Sequence, residues 1–287
     1  MWNQIAAQIS QVTGQPFTVG DRRSVGGGCI NQGYAISDGD TTYFVKLNQA
    51  TAVAMFEAEM AGLQQMQETR TIRVPTPIAT GVAGETAYII LEWLELGSGS
   101  NESWARMGHQ LAAMHQATVG TAFGWNRLNT IGSTPQMNPW TASWSEFWVD
   151  HRIGYQLRLA QRRGGHFPRQ AQLLAAIPHL LAGHNPQPSL VHGDLWSGNA
   201  AVTQSGEPVI FDPATYVGDR EVDIAMTELF GGFPADFYRS YNQTFPLADG
   251  YKQRKVLYNL YHILNHFNLF GGSYESQANR MIEQILG

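Results

Sequence analysis

Residues 190–199 read LVHGDLWSGN, and Asp212 closes a later apolar run, VIFDP. Histidine, aspartate and asparagine in the order H-x-D-x-x-x-x-N, then a strand ending in aspartate, constrain geometry more than composition does. A short strand, Leu190 to His192, delivers the loop. A strand pair near 200–211, split by Gln204-Ser205-Gly206-Glu207, returns the second aspartate to it. HGD alone fits a tight turn with a capping aspartate, whereas the complete spacing is the layout of a phosphoryl-transfer site. There one carboxylate accepts the hydrogen bond of the attacking hydroxyl, while an amide oxygen and a second carboxylate hold magnesium against nucleotide phosphates. Asp194 takes the first role, Asn199 and Asp212 the second. His192 precedes the catalytic position and is expected to buttress the loop through backbone hydrogen bonds rather than act as base. Asp223 follows as a helix cap or a tie for the catalytic loop.

Lys46 stands in the apolar strand YFVKL, where an unpaired ammonium is costly. The next segment, 51–68, repeats apolar residues at helical spacing through Val53, Phe56, Met60, Leu63 and Met66. It offers Glu57 and Glu59; Glu59 shares the face of Leu63 and Met66 and is the better partner. Lys46 then reaches the α and β phosphates of ATP, the alternative being an edge-strand lysine that snorkels beside a solvated Glu59. Upstream, SVGGGCINQGY places Gly26, Gly27, Gly28 and Cys29 between two strands, a close approach for phosphate oxygens that a plain hairpin also uses. It is neither a Walker loop nor a dinucleotide fingerprint. Glu92-Trp93-Leu94 ends the fifth strand, the position at which the backbone of a two-lobed kinase would hydrogen bond to adenine, which makes Glu92 and Leu94 candidates.

Around these motifs the chain divides into two. Helix 2–12 precedes three antiparallel strands within 17–48, the helix over 51–68, and two strands within 78–94. Leu96-Gly97-Ser98-Gly99-Ser100 reads as a connector, which sets the units at 1–95 and 96–287. The second is mostly helical, with helices expected near 101–118, 143–163, 168–182, 220–230, 250–270 and 274–286. The formal charge of −5 offers no cationic face to nucleic acid or an anionic membrane, and no apolar run is long enough to span one. The single cysteine, with no leader-like start, fits a reducing cytoplasm.

The segments GGCINQGY, FVKLN, MFEAEMAGL, HGDLWSGN, FDPA, FGGF and LNHFNLFGGSY together resemble the fructosamine kinase and ketosamine 3-kinase family, across almost the whole chain. The resemblance implies an α+β, two-lobed, protein-kinase-like fold: a small antiparallel-sheet N-lobe with one main helix and a larger, mostly helical C-lobe. It implies ATP- and magnesium-dependent phosphorylation of the third-carbon hydroxyl of ketoamines, free or on glycated protein lysines. The unstable ester that results breaks down and releases the amine. Carried over by position, Asp194 matches the base, Asn199 and Asp212 the magnesium ligands, and Lys46 with Glu59 the phosphate-orienting pair. Trp196 matches a residue flanking the sugar, with core packing as its other reading. His262, Asn265, His266 and Asn268 share a helix; the histidine spacing is that of zinc ligands, but the resemblance favours hydrogen bonding, with His266 on the substrate side. Pro213-Ala214 after Asp212, with helix signals resuming at once, leaves no room for a long activation loop.

Another small-molecule kinase of this fold, acting on an aminoglycoside, choline or a sugar, is the nearest alternative; a nucleotide-binding scaffold is a second. The chain is expected to be a monomer. Cys29 is either a packing residue or a thiol whose oxidation inhibits the enzyme and links two chains.

Overall fold

The computed structural model of the protein describes residues 1–26, 30–117 and 120–287. The chain opens with α1 (Trp2–Thr13), β1 (Asp21–Val25), β2 (Gln32–Ser37), β3 (Thr42–Gln49), α2 (Val53–Glu68), β4 (Pro77–Ala83) and β5 (Thr86–Glu92). The strands form one antiparallel five-stranded sheet in the order β1-β2-β3-β5-β4. Alternation along β3 sorts its side chains by face: Val45 and Leu47 join Ile36, Ile90 and α1's Ile5 and Ile9. Phe44 and Lys46 face the opposite way, toward α2, which buries Phe56, Leu63 and Met66. That pleat puts a lysine into an apolar layer, and only a carboxylate from α2 makes the position tolerable.

Next come β6 (Leu96–Gly97), α3 (Asn101–Gln116), β7 (Asn129–Ile131), β8 (Thr134–Gln136), α4 (Trp144–Trp148), α5 (Gly154–Arg162) and α6 (Gln170–Leu180). The chain ends with β9 (Pro188–Val191), β10 (Ala200–Thr203), β11 (Pro208–Ile210), β12 (Tyr216–Asp219), α7 (Glu221–Leu229), α8 (Ala235–Thr244), α9 (Tyr251–Phe270) and α10 (Tyr274–Leu286). Ser100, expected in the connector, caps α3 by accepting from Ser103 N at 3.1 Å. The connector is also less loose than its glycines suggest, since Leu96 and Gly97 pair with Thr203 and Val202 as the edge of the β11-β10-β6 sheet.

Several elements depart from the sequence expectation. The helix expected over 143–163 is interrupted by a π turn, Val149–Ile153, that holds the buried Arg152 guanidinium 4.0 Å from the Tyr216 ring centroid. Helix α8 lies outside the sequence expectation, although Phe237 and Tyr241, its two buried residues, stand four apart as one helical face requires. Helix does not resume at once after Asp212: β12 intervenes and pairs antiparallel with β9. Its residues Tyr216–Asp219 are all buried, so no polar alternation marks them as a strand.

The apolar layer beneath α2 continues without a break into the second unit, where Phe56, Leu63 and Ile89 belong to one cluster with Met107, Leu111, Leu190, Leu195 and Ile210. The catalytic loop therefore hangs from a core shared by both halves.

Candidate active site

The HGD turn is built by Gly193. Its φ of +82° lies in the left-handed region, and a Cβ there would stand 2.1 Å from the Ala214 carbonyl oxygen, so no other residue fits. The backbone closes on itself at this point, with Ala214 N–H donating to His192 O at 2.8 Å. Asp223 fastens the turn from below, accepting from His192 N–H at 2.7 Å and Gly193 N–H at 2.8 Å. It is a tie rather than a cap, since the α7 N-terminus is served by Asp219, which accepts from Glu221 N–H at 3.0 Å. His115 holds Asp223 in turn at 3.1 Å, with its other ring nitrogen 2.8 Å from the Tyr241 hydroxyl. His192 is fully buried, its Nε2 2.9 Å from Phe211 O and its Nδ1 accepting from Asp194 N–H at 3.3 Å. Burial lowers its pKa, so the ring stays neutral with both nitrogens on the backbone.

Asp194 emerges from this turn with its side chain 24% exposed. Burial first, then the Asp212 and Asp223 carboxylates, push its carboxyl up to about 7, while the Asn199 hydrogen bond opposes them. Asn199 donates its amide to Asp194 O at 2.9 Å and, more weakly, to Asp194 Oδ2 at 3.4 Å and Asp212 O at 3.5 Å. Asp212 adopts φ +60°, a strained setting for a non-glycine residue, and its carboxylate meets Lys46. Lys46 Nζ lies 2.6 Å from Asp212 Oδ1 and 2.7 Å from Glu59 Oε1. Burial works against the lysine's charge, but the two carboxylates outweigh it and raise its pKa well above the ordinary value. Asp212 is held below the usual carboxylate range, since the Lys46 ammonium outweighs its burial. Glu57 is exposed, as its helical phase requires.

The geometry brings Asp194, Asn199, Asp212, Lys46 and Glu59 into one connected cluster. The Asn199 amide oxygen and the half-exposed Asp212 carboxylate are hard oxygen donors that fit a magnesium ion.

On the far side, Trp196 is 37% exposed rather than packed in the core, and begins an aromatic wall. Its ring lies 6.4 Å from Phe230, which lies 5.0 Å from His266; His266 in turn lies 5.7 Å from Phe270 and 5.1 Å from Tyr274. The two α9 histidines do not converge as metal ligands, because His266 Nδ1 is turned onto the His262 carbonyl at 2.7 Å. His262 comes nearer to Asp194, its Nδ1 4.0 Å from Asp194 Oδ1.

A fructosamine kinase family model matches residues 1–287, the whole chain. The chain belongs to the fructosamine kinase family. It is 60% identical over 285 residues to a "Probable ketoamine kinase" of Synechocystis, covering 99% of this chain and 97% of that one. It is 44% identical over 268 residues to the chloroplastic protein-ribulosamine 3-kinase of Arabidopsis thaliana, covering 92% and 82%. The crystal structure titled "Putative fructosamine-3-kinase" from Haemophilus somnus superimposes with a TM-score of 0.95 at 32% identity, covering 100% of this chain and 98% of that one. An aminoglycoside phosphotransferase, APH(4)-Ia, shares the fold alone, at TM-score 0.63 and 16% identity over 98% of both chains. This fructosamine kinase family member is thus an ATP-dependent kinase with the two-lobed α+β fold expected from its motifs.

In this kinase the segment at the end of β5 is more constrained than expected. Glu92 N–H is engaged by Thr76 O at 2.9 Å, so a contact of Glu92 with adenine falls to its carbonyl oxygen. Its carboxylate binds Arg73 at 2.5 Å, and Arg73 also reaches Glu207 of the β10–β11 turn. Among the described residues, no hydrogen bond occupies the Trp93 or Leu94 main chain. Gly26 ends the described part of the glycine run, while Gly27, Gly28 and Cys29, proposed phosphate-loop residues, lie outside the described residues. At the far end of the loop, Asn31 Oδ1 accepts from Asn48 of β3 at 2.7 Å.

Sequence reading missed the supports of the Asp212 segment. Asn129 donates to Thr215 O at 2.8 Å and Gln136 to Ala214 O at 3.0 Å, so the β7–β8 hairpin holds up the backbone just past Asp212. Their polar side chains are buried at a distance in sequence that no local pattern reveals. A second cluster, His184, Asp219 and Glu221, has the ligand types of a metal centre. Arg254 and Tyr258 already occupy its carboxylates, at 2.7 and 2.6 Å, which makes it a structural network.

Gly62 sets how closely α2 approaches the same segment, since a Cβ there would meet Thr215 Oγ1 at 2.5 Å. Gly62→Val is expected to push α2, and Glu59 with it, away from Lys46, lowering kcat about 10-fold or more and costing ~1–3 kcal/mol from overpacking. Steady-state kinetics and urea unfolding measure the two effects separately.

Proposed function

We propose that this chain is an ATP-dependent ketosamine 3-kinase that transfers the γ-phosphoryl group of ATP to the O3 hydroxyl of fructosamine, ribulosamine or erythrulosamine adducts. The observation that carries the reading is Asp194: a carboxyl raised to about 7, at the rim of the cleft, tied through Asn199 to Asp212. Such a group accepts the substrate hydroxyl's proton as the oxygen attacks, and its basicity suits the task near neutral pH. The names of its relatives, ketoamine kinase and protein-ribulosamine 3-kinase, support the substrate class.

In this reading Lys46, oriented by Glu59, holds the α and β phosphates, and Asn199 and Asp212 hold magnesium. Bound there, the ion supplies charge neutralisation between the phosphates and the carboxylates. Adenine lies against the Glu92–Leu94 backbone at the junction of lobes 1–95 and 96–287, with Gly26 beside the phosphates. Trp196 and His266 flank the sugar, whose flat CH face packs on the tryptophan ring. The O3 ester then breaks down and frees the amine, so the reaction reverses glycation of small amines or protein lysines. No helix among the described residues is long and apolar enough to cross a membrane. The single cysteine supports a reducing, cytoplasmic setting, in which the enzyme is proposed to act as a monomer.

Purified protein with ATP and magnesium is expected to phosphorylate at least one of the three adducts. A panel that adds an aminoglycoside and choline tests the assignment. Turnover of either compound, with all three ketoamines untouched, overturns it.

A further inference from the structure

His262 carries a buried ring nitrogen that nothing among the described residues satisfies. The residue is 3% exposed on α9, and its Nδ1 has no hydrogen-bond partner among the described residues. That nitrogen faces Asp194 Oδ1 at 4.0 Å, too far for a direct bond. The separation leaves the two atoms side by side at one wall of the cleft. Burial, then the neighbouring His266, drive the His262 pKa down to about 3, so the ring is neutral at any working pH. It therefore acts as a hydrogen-bonding group and not as a second charge beside Asp194. A buried ring nitrogen without a partner is destabilising, and its persistence beside the reacting carboxylate calls for a ligand atom.

We propose that His262 Nδ1 binds the substrate oxygen on a carbon adjacent to the phosphorylated one, and so selects which hydroxyl of the sugar meets Asp194. The inference rests on the ketosamine 3-kinase reading. Oxygens on neighbouring carbons are spaced so that one meets the carboxylate while the next meets the imidazole. A polyol chain offers several similar hydroxyls to one base, and the second contact fixes the register. His266, four residues on, is unsuited to the task because its Nδ1 is held by the His262 carbonyl.

The test compares wild type, His262→Asn and His262→Leu on a ketoamine, on its 4-deoxy analogue and on an analogue with a methylene in place of the C2 carbonyl. Asparagine retains a polar atom near the Nδ1 position, whereas leucine fills the space without one. On the parent ketoamine, His262→Leu is expected to lower kcat/KM about 10- to 100-fold, with KM for ATP unchanged and His262→Asn retaining most of the activity. On the analogue lacking the matched oxygen, wild type and His262→Leu are expected to converge, and which analogue shows this identifies the oxygen. If His262→Leu loses activity equally on all three compounds, or on none, the proposal is wrong. Should the leucine variant fail to fold, His262→Ala takes its place: loss of discrimination between the parent and one of the analogues supports the proposal, and unchanged discrimination overturns it. Absence of wild-type activity on the parent ketoamine counts against the proposed function itself and is read before any variant.

Discussion

Asp194→Asn is expected to lower kcat by about 10²–10⁴ while making the folded protein more stable at neutral pH. Both effects come from one cause. Burial and the Asp212 and Asp223 carboxylates raise the Asp194 pKa to about 7, above its unfolded value near 4. A carboxyl whose folded pKa is raised contributes fully below the unfolded value, and that contribution is lost as pH climbs to about 7. Asparagine removes the charge and should gain roughly 2–4 kcal/mol at pH 8, a gain that shrinks to nothing near pH 4. Thermal unfolding of both proteins in EDTA across this range measures the gain; equal stability at every pH would refute the electrostatic account. In wild type, kcat/KM should rise with pH as Asp194 ionises. Magnesium held at Asp212, as proposed, would reduce the repulsion on Asp194, so the midpoint with the full complement of magnesium and ATP should fall below that of the bare site.

Lys46→Met should be damaging in a different way, lowering stability and activity together. The ammonium is shared by Glu59 and Asp212 at 2.7 and 2.6 Å. Removing it leaves the buried Glu59 without its partner, a situation that costs about 3–5 kcal/mol when one member of a buried pair is lost. Glu59 already has a raised pKa from burial, so in the variant it takes up a proton rather than remain charged. Loss of the phosphate-orienting charge should reduce kcat/KM by about 10²–10³. The double variant Lys46→Met/Glu59→Gln separates the two losses. It should recover most of the stability and none of the activity, as read by urea unfolding and phosphate transfer. Recovery of activity in the double variant would exclude Lys46 from the phosphates.

The cluster of Asp194, Asn199, Asp212, Lys46 and Glu59 was legible because each member is fixed by a short-range rule. Loop spacing ties Asp194 to Asn199, a strand end carries Asp212, and helical phase separates Glu59 from Glu57. What stayed hidden depends on depth or on distant partners. Spacing of four places His262 and His266 on one face of α9, but only packing decides that the former points beside Asp194 and the latter joins the aromatic wall. Helix α8 was legible in the spacing of Phe237 and Tyr241, though the polar residues between them masked it. Nothing near Glu92 in sequence announces Arg73 or Glu207, and nothing near Asp212 announces its left-handed φ. The Asn129–Gln136 hairpin is a further long-range support, built from side chains that a linear reading takes for surface.

The segment after Asp212 carries a consequence for how this enzyme is controlled. Pro213, Ala214 and Thr215 lead straight into β12, and their carbonyls at Ala214 and Thr215 are pinned by Gln136 and Asn129. A stretch so short and so held has no second arrangement for a covalent signal to favour. Any covalent control of this kinase would then have to act elsewhere than on the segment that carries Asp212.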